Sequence, residues 1–387
     1  MLRFDFQQNE KKLVFKLFGL GDGGINTLDT FINKGIGGME LIAVNTEPAS
    51  LEKSAAHRKI EIGGSAVKGQ GTGGDISVGK KAAENAYKEF FEASHNADVV
   101  FVTAGLGGGT GSGAINVVVR AAKEAGSLVV CLVTKPFNFE GRMRLNQATE
   151  SVKELKDIAD SLIIIPNDRL LDIMTEDTSF VDAFKATNEV ICEVVNALYA
   201  MVTKPSLIKI DFADVKSVLE DGGECMLGFG DATGKDKALR AVEMALVSPL
   251  MDKNRLMNSK NILISMIGGR DIGLFEVSDS LKSIQQITSM ESNAVLGVTV
   301  DEDFNDRVHV TVLASGSVSE EKRDPAFELL PDMEDTREEQ PALIHVAPRG
   351  KFDKTEPSII DGIDLDVPTF LRKSKRDWYT KIMGKKN

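Results

Sequence analysis

The chain has 387 residues, too many for one small domain and few for three, so two domains with tails is the natural organisation. With 42% hydrophobic and 27% charged residues, its composition is that of a soluble globular protein. A formal net charge of −12 disfavours nonspecific nucleic-acid binding, and no nucleic-acid partner is expected; an anion held locally by backbone amides is still allowed.

A polar stub, residues 1–12, precedes Leu13 to Phe18, which reads as a buried strand. No run of about 18 apolar residues occurs, and Met1 to Phe18 carries no signal-peptide core, so a cytoplasmic location is expected. The strand runs straight into Gly19, Gly21, Gly23 and Gly24 and then a helix from about Asn26 to Lys34, the opening of an α/β nucleotide-binding domain. Leu41 to Val44, Val99 to Thr103, Leu128 to Val133 and Leu162 to Ile165 follow as strands, separated by enough chain for crossovers, and predict a mainly parallel sheet. From Val181 the apolar period changes: Val181, Phe184, Ile191, Val195, Leu198 and Val202 share one stripe, a helix of about six turns stopped near Lys204-Pro205. Val190, Val194 and Met201 widen the stripe, which predicts a central helix (181–203) sandwiched between two bodies. Helices at Asp236 to Leu246 and Val277 to Met290, with strands at Ile262 to Ile267, Val295 to Val300 and Val308 to Leu313, fit a smaller α/β domain over 207–316. Residues 317–362, rich in charge and proline, read as a linker, with one weak apolar patch at Leu343 to Val346. The tail 363–387 carries the apolar anchors Leu365, Val367, Phe370 and Leu371, then basic residues around Trp378 and Tyr379. Three scattered cysteines, Cys131, Cys192 and Cys225, form no C-x-x-C pair and are expected to be buried free thiols.

The strongest local signal is Gly107-Gly108-Gly109-Thr110-Gly111-Ser112-Gly113, entered from a strand and left into a helix, Ala114 to Ala125. Successive glycines let N–H groups converge, a helix N-terminus adds partial positive charge, and Thr110 and Ser112 add hydroxyl donors, together a phosphate cradle. Gly19-x-Gly21-x-x-Gly24 matches the dinucleotide-binding spacing, which is weak evidence by itself, and the cluster Gly63, Gly64, Gly69, Gly71, Gly73 and Gly74 supplies a third backbone-rich loop. Three such loops suggest one polyphosphate enclosed from several sides. Gly74-x-x-x-x-Gly79-Lys80 nearly spells a P-loop, but Lys81 stands where a hydroxyl residue is needed for magnesium.

The seven-residue glycine motif, placed between strand and helix, resembles the signature of the tubulin/FtsZ family of GTPases, and the chain looks like the bacterial FtsZ branch. Ala43-Val44-Asn45-Thr46, Thr134-Lys135-Pro136-Phe137, Phe139-Glu140-Gly141-Arg142, Ile165-Pro166-Asn167-Asp168-Arg169-Leu170, Asp211-Phe212-Ala213-Asp214 and Ser248-Pro249-Leu250 extend the resemblance from Lys12 to Gly316. It implies a GTP-binding domain over 13–180, an assembly domain over 207–316, GTP or GDP as ligand and Mg2+ held through the phosphates and water. On the same ground Gly21, Gly23, Gly24 and Asn26 begin the pocket, Asn45 lies near the phosphates, and Gly71, Thr72 and Gly73 sense the terminal phosphate. Glu140 and Arg144 match groups at the ribose and nucleotide, Asn167 and Asn188 contacts to ribose or guanine, and Phe184 the ring that stacks on the base. Read without the resemblance, Phe184 is a core residue of the helix stripe and Glu140 with Arg144 a surface i,i+4 pair. Asp211 and Asp214 match the carboxylates that one subunit offers to the nucleotide of the next in a head-to-tail filament. The tail matches a peptide that docks membrane tethers and regulators, so membrane association is expected to be indirect and the location the division site or midcell ring.

Four positions depart from the family pattern. Asp22 stands where the first glycine loop usually has Gly, Ile25 where a small or amide residue is expected, Asp29 where Asn is usual, and Lys209 where the catalytic loop usually has Asn. An extra carboxylate near phosphates either repels them or helps hold a cation. Lys209 has donors only and a positive charge, and is expected to favour tight association with slow hydrolysis. Two function classes follow: an assembly-coupled GTPase, or a GTP-binding filament scaffold with turnover near background. A nicotinamide dehydrogenase has only the first glycine cluster in its favour.

Overall fold

The computed structural model describes residues 13–316 apart from Lys68, Gln70, Ile173, Glu176, Pro205, Lys209, Asp221 and 289–291, together with the strand pairs Ile359–Ile360 and Ile363–Asp364. The chain forms two compact units, Met1–Glu321 and Lys322–Asn387.

Eleven strands of the first unit share one sheet. They are β1 (Phe15–Leu20), β2 (Glu40–Asn45), β3 (Arg58–Glu61), β4 (Val99–Gly105), β5 (Leu128–Lys135), β6 (Ser161–Pro166), β7 (Ser206–Ile208), β8 (Gly223–Thr233), β9 (Asn261–Gly268), β10 (Asn293–Val300) and β11 (Arg307–Ser315). Their spatial order is β3-β2-β1-β4-β5-β6-β8-β11-β9-β10-β7. From β3 to β6 every pairing is parallel, each strand being followed by chain long enough to cross over. β8 joins β6 in parallel over a short stretch, Ser161↔Gly223 to Ile163↔Cys225, and beyond it β11 runs antiparallel to both β8 and β9. A nucleotide-binding type of parallel sheet thus passes into a smaller, mixed α/β half, as the apolar pattern predicts.

The parallel strands are buried on both faces, which is why β1 reads as an unbroken run instead of an alternating one. Phe15, Leu17, Phe101, Val130 and Leu132 point to one face, against Ile191, Val195 and Leu198 of the long helix Phe180–Thr203. Phe18, Val100, Val102 and Val129 point to the other, against Ile115 and Val118 of Gly109–Glu124. The core under the long helix continues to Leu227, Leu263 and Leu313 of the mixed half, so the helix is sandwiched from Ile191 onward. Its first turns are different: Phe180 and Val181 are exposed, because the apolar stripe there runs past the body of the sheet. In the mixed half, Ile262, Ile264, Val310 and Val312 pack on Ala241, Val242 and Ala245 of Lys237–Leu246.

β8 is an element that strand propensity hides, because glycines interrupt it. A Cβ at Gly228 would lie 2.0 Å from the Ala245 carbonyl oxygen, and one at Gly230 1.7 Å from that of Ala241, so these glycines let the helix lie directly on the strand. The three cysteines are buried free thiols; burial pushes Cys225 up to about 11 and Cys192 up to about 12. The long helix is also tied to the mixed half by charge. His309 on β11 meets Glu193 Oε1 of the helix through Nε2 at 3.0 Å and Asp231 Oδ2 of β8 through Nδ1 at 3.4 Å. Arg307 closes the cluster with a fork onto Asp231, Nε to Oδ1 at 2.8 Å and a terminal nitrogen to Oδ2 at 2.6 Å. Burial disfavours the charged imidazole, but the hydrogen bonds to Asp231 and Glu193 outweigh it and hold His309 up to about 9.

Ile359–Ile360 pairs antiparallel with Ile363–Asp364. The expected linker patch at Leu343 to Val346 and the tail anchors from Leu365 onward lie outside the described residues. No helix among the described residues is long and apolar enough to cross a membrane.

Candidate functional site

A cleft of about 520 Å³ opens along the C-terminal ends of β1, β4 and β5, where an open parallel sheet presents its ligand-binding edge. Two helix N-termini line it. Gly21–Asn33 starts directly after β1 with Leu20 as its N-cap, and Gly109–Glu124 starts after a three-residue connection from β4 with Gly108 as its N-cap; neither N-cap side chain makes a capping hydrogen bond. The free N–H groups of both helix ends therefore lie beside one space, the arrangement that suits an anion.

Both glycine runs are more helical than their composition implies. Gly21 to Asn26 and Gly109 to Gly113 form the first turns of their helices, where low glycine propensity argues for loop. Packing decides it. A Cβ at Gly24 would sit 2.7 Å from the Gly19 carbonyl carbon and from the Thr103 carbonyl oxygen, so only glycine lets this helix start flush on β1 and β4. A Cβ at Gly109 would meet Thr72 Oγ1 at 2.2 Å and the Asp75 backbone at 2.7 Å, which locks the third glycine loop against the second.

Of the expected ligand residues, Gly21, Gly23, Asn26, Asn45, Thr72, Gly73, Gly108, Gly109, Thr110, Gly111, Glu140, Arg144, Asn167, Phe184 and Asn188 all line this cleft. Gly24, Gly71, Gly107, Ser112 and Gly113 are not among its lining residues. Ser112 Oγ accepts from the Gly107 N–H at 2.8 Å, Gly107 and Gly71 have positive φ, and Gly113 lies against the backbone of Ile76 to Lys80. The helix Ile76–Asn85 is there to pack on Gly109–Glu124, and Lys80 pairs with Glu154 at 3.8 Å; the near P-loop spelling has no cradle of its own.

The polar groups of the cleft are held by second partners. Thr27 Oγ1 donates to Asn188 Oδ1 at 3.0 Å, joining the first helix to the long one. Thr187 Oγ1 lies 3.5 Å from Asn167 Oδ1. Thr46 Oγ1 and Thr110 Oγ1 share a hydrogen bond of 2.8 Å, joining the end of β2 to the seven-residue glycine motif. Glu140 accepts from the Phe137 N–H through Oε1 at 2.9 Å and from Arg144 through Oε2 at 2.7 Å. The Phe184 ring meets Phe137 edge-on at 5.3 Å and Phe180 at 5.0 Å, so the stripe residue is half-buried in an aromatic cluster with one side on the cleft. Thr27, Glu47, Gly105, Thr134 and Thr187 also line the cleft, and sequence reasoning passes over them. Thr27 and Thr187 were open to inference from helical spacing, one turn from Gly23 and one residue from Asn188; Glu47 had no such signal.

Of the departing residues, Asp22 lines the cleft and accepts from Asn45 Nδ2 at 2.8 Å. Ile25 is core, and Asp29 faces away, accepting from Ser54 Oγ at 3.1 Å and from the Ala55 N–H at 3.3 Å; neither sits beside the expected phosphates. Lys209 lies outside the described residues.

Asp211 and Asp214 do not line the cleft of their own chain. They occupy the capping-box positions of Phe212–Leu219: the Asp211 N–H donates to Asp214 Oδ2 at 3.2 Å, and the Asp214 N–H donates to the Asp211 backbone carbonyl at 3.0 Å. Both are exposed. Among the described residues no group of three or more His, Cys, Asp or Glu side chains is gathered for a metal ion.

The description of the Tubulin/FtsZ family, GTPase domain, matches residues 14–175, and that of the FtsZ family, C-terminal domain, matches 223–318. Among solved structures, an empty FtsZ dimer from M. jannaschii is 35% identical with a TM-score of 0.75, over 80% of this chain and 89% of that one. CetZ2 from Haloferax volcanii, a GTPγS-bound protofilament, is 26% identical with a TM-score of 0.69, over 81% of this chain and 96% of that one. The fold and the cleft define an α/β protein of the tubulin type, and the chain belongs to the tubulin/FtsZ family. Both an FtsZ and a CetZ are among its relatives, so the match fixes the family and does not single out a bacterial branch.

Proposed function

We propose that this protein is a GTP-dependent, polymerising cytoskeletal protein of cell division that hydrolyses GTP to GDP and phosphate where one subunit meets the next. The observation that carries the reading is the split of the machinery. The cleft has uncapped helix ends and an aromatic ring suited to a polyphosphate and a base, while the family's two carboxylates stand exposed at a capping box elsewhere on the same chain. A second copy stacked head to tail supplies what the cleft lacks. In that role Asp211 and Asp214 orient the attacking water, and the helix ends and Thr110 stabilise charge on the phosphates. Asn188 and Asn167 offer amide donors and acceptors to base and ribose, with Glu140 accepting from ribose hydroxyls.

The oxygen donors Asp22, Glu47 and Thr110 in the cleft fit a hard cation that takes its remaining ligands from phosphate and water. Bound there, Mg2+ supplies neutralisation of phosphate charge. We further propose that the tail 363–387 docks membrane tethers at the division site, through Leu365, Val367, Phe370 and Leu371. Deleting it is expected to spare assembly and abolish midcell localisation.

Phosphate release and light scattering, measured together over a protein-concentration series, test the main reading. Interface hydrolysis requires turnover to rise more steeply than concentration near the assembly threshold. Strict proportionality means a complete site in one chain, and assembly with background turnover means a scaffold.

A further inference from the structure

Asp22 occupies the first turn of Gly21–Asn33, so the helix end that would draw a phosphate already has a carboxylate beside it. Its position is held from the other side. Asn45 is almost fully buried, and its Oδ1 accepts from the N–H groups of Thr46 at 2.8 Å and Glu47 at 3.4 Å. That fixes which end of the carboxamide faces the cleft: Nδ2, which donates to Asp22 Oδ1 at 2.8 Å. An amide directed at the ligand space is thus engaged by an anion of the same chain.

The side-chain charge of the cleft has the same sign. Among its described lining residues are three carboxylates, Asp22, Glu47 and Glu140, against a single guanidinium, Arg144, which is itself paired with Glu140 at 2.7 Å. A bare polyphosphate finds attractive backbone N–H groups there and side chains of mostly repulsive sign, with Asp22 itself exposed on the lining.

We infer that Asp22 makes the cleft selective for nucleotide that carries a divalent cation, opposing a metal-free nucleoside triphosphate and tolerating one whose charge a cation has lowered. The inference rests on the nucleotide reading of the cleft. It assigns Asp22 a specificity role that Gly or Asn at the same place would lack, since Asn keeps a similar shape and hydrogen bonding without the charge.

The test is equilibrium binding of GTPγS to the full chain, held below its assembly threshold, with Mg2+ and with EDTA at matched ionic strength. Wild type, Asp22→Asn, Asp22→Gly and Glu47→Gln are compared, with thermal unfolding as a check on folding. The wild type is expected to lose affinity on the order of tenfold or more when magnesium is removed, and both Asp22 variants to lose no more than about threefold. Equal magnesium dependence in wild type and both Asp22 variants overturns the inference while leaving nucleotide binding intact. An equal relief in Glu47→Gln also overturns it, because the effect would then belong to the summed charge of the cleft. If neither Asp22 variant folds, a wild-type affinity unchanged by EDTA is the overturning result. No binding by any of the proteins in either condition removes the nucleotide reading together with the inference.

Discussion

Two acidic regions of this protein, Asp22 in the cleft and the pair Asp211 and Asp214 at the capping box, have the same chemistry and opposite settings. Asp22, although exposed, lines the cleft, where Asn45 engages it at a helix end. Asp211 and Asp214 are exposed, and the Asp214 carboxylate accepts from the Asp211 N–H. A carboxylate inside the cleft acts on ligand binding in a single subunit, whereas carboxylates outside it reach a ligand only across an interface. Where a group sits relative to the cleft decides which step it controls.

Substitutions that separate the two regions test this division. Asp214→Ala, and separately Asp211→Ala, is expected to lower GTP turnover by roughly 100-fold or more at unchanged GTP affinity. Asp214→Ala also removes the acceptor of the Asp211 N–H, at a cost of about 1 kcal/mol in stability, read by denaturant unfolding. A fall in affinity as large as the fall in turnover would put these carboxylates in the cleft after all. Gly109→Ala drives a methyl group into Thr72 and the Asp75 backbone and is expected to weaken GTP binding by roughly 10-fold to 100-fold, measured by nucleotide retention. It leaves the capping box untouched.

The His309 cluster sharpens the comparison from a third place, since it bridges the helix that carries Phe184 and Asn188 to the half that carries β11. His309 is raised from an ordinary value near 6.5 to about 9 by Asp231 and Glu193 against the opposing effect of burial. A raised folded-state value means that the cluster stabilises fully below about pH 6.5 and that this contribution is lost as pH rises through about 9. With the partner carboxylates partly exposed and screened, the loss is about 1–2 kcal/mol, and His309→Gln should flatten the stability profile between those limits in denaturant titrations. The smallest effect expected is at Lys209. Lys209→Asn should raise turnover and speed filament disassembly by a few-fold, because an amide does not compete for Asp211 or Asp214 as an ammonium does. If Lys209→Asn and Lys209→Ala both leave disassembly unchanged at matched polymer mass, that role is refuted.

Much of the architecture was legible because the parallel strands are buried on both sides and therefore stand out as short apolar runs between longer polar ones. The long helix was legible from its stripe, and the cleft from glycine clusters that occur where strands end. What escaped shares one cause: glycine is ambiguous when the reason for it is a neighbour distant in the chain. Gly228 and Gly230 hid β8 because they make room for Lys237–Leu246, and Gly24 and Gly109 looked like loop because the surfaces that select helix lie on other elements. Glu47 and Thr134 reach the cleft only through the sheet order, which no local spacing encodes.

The central claim is that a cleft of one copy and the carboxylates of another make one active site, and mixing two defective proteins tests it most directly. Asp214→Ala keeps an intact cleft and lacks a carboxylate; Gly109→Ala keeps the carboxylates and has a cleft that binds GTP weakly, so the proteins are assayed at a GTP concentration that fills only the intact cleft. Each alone is expected to release phosphate near background, and the equimolar mixture to hydrolyse GTP well above the sum of the two, in proportion to the mixed contacts formed. A mixture no more active than that sum, although the two proteins co-assemble by light scattering and co-sedimentation, would contradict the shared site.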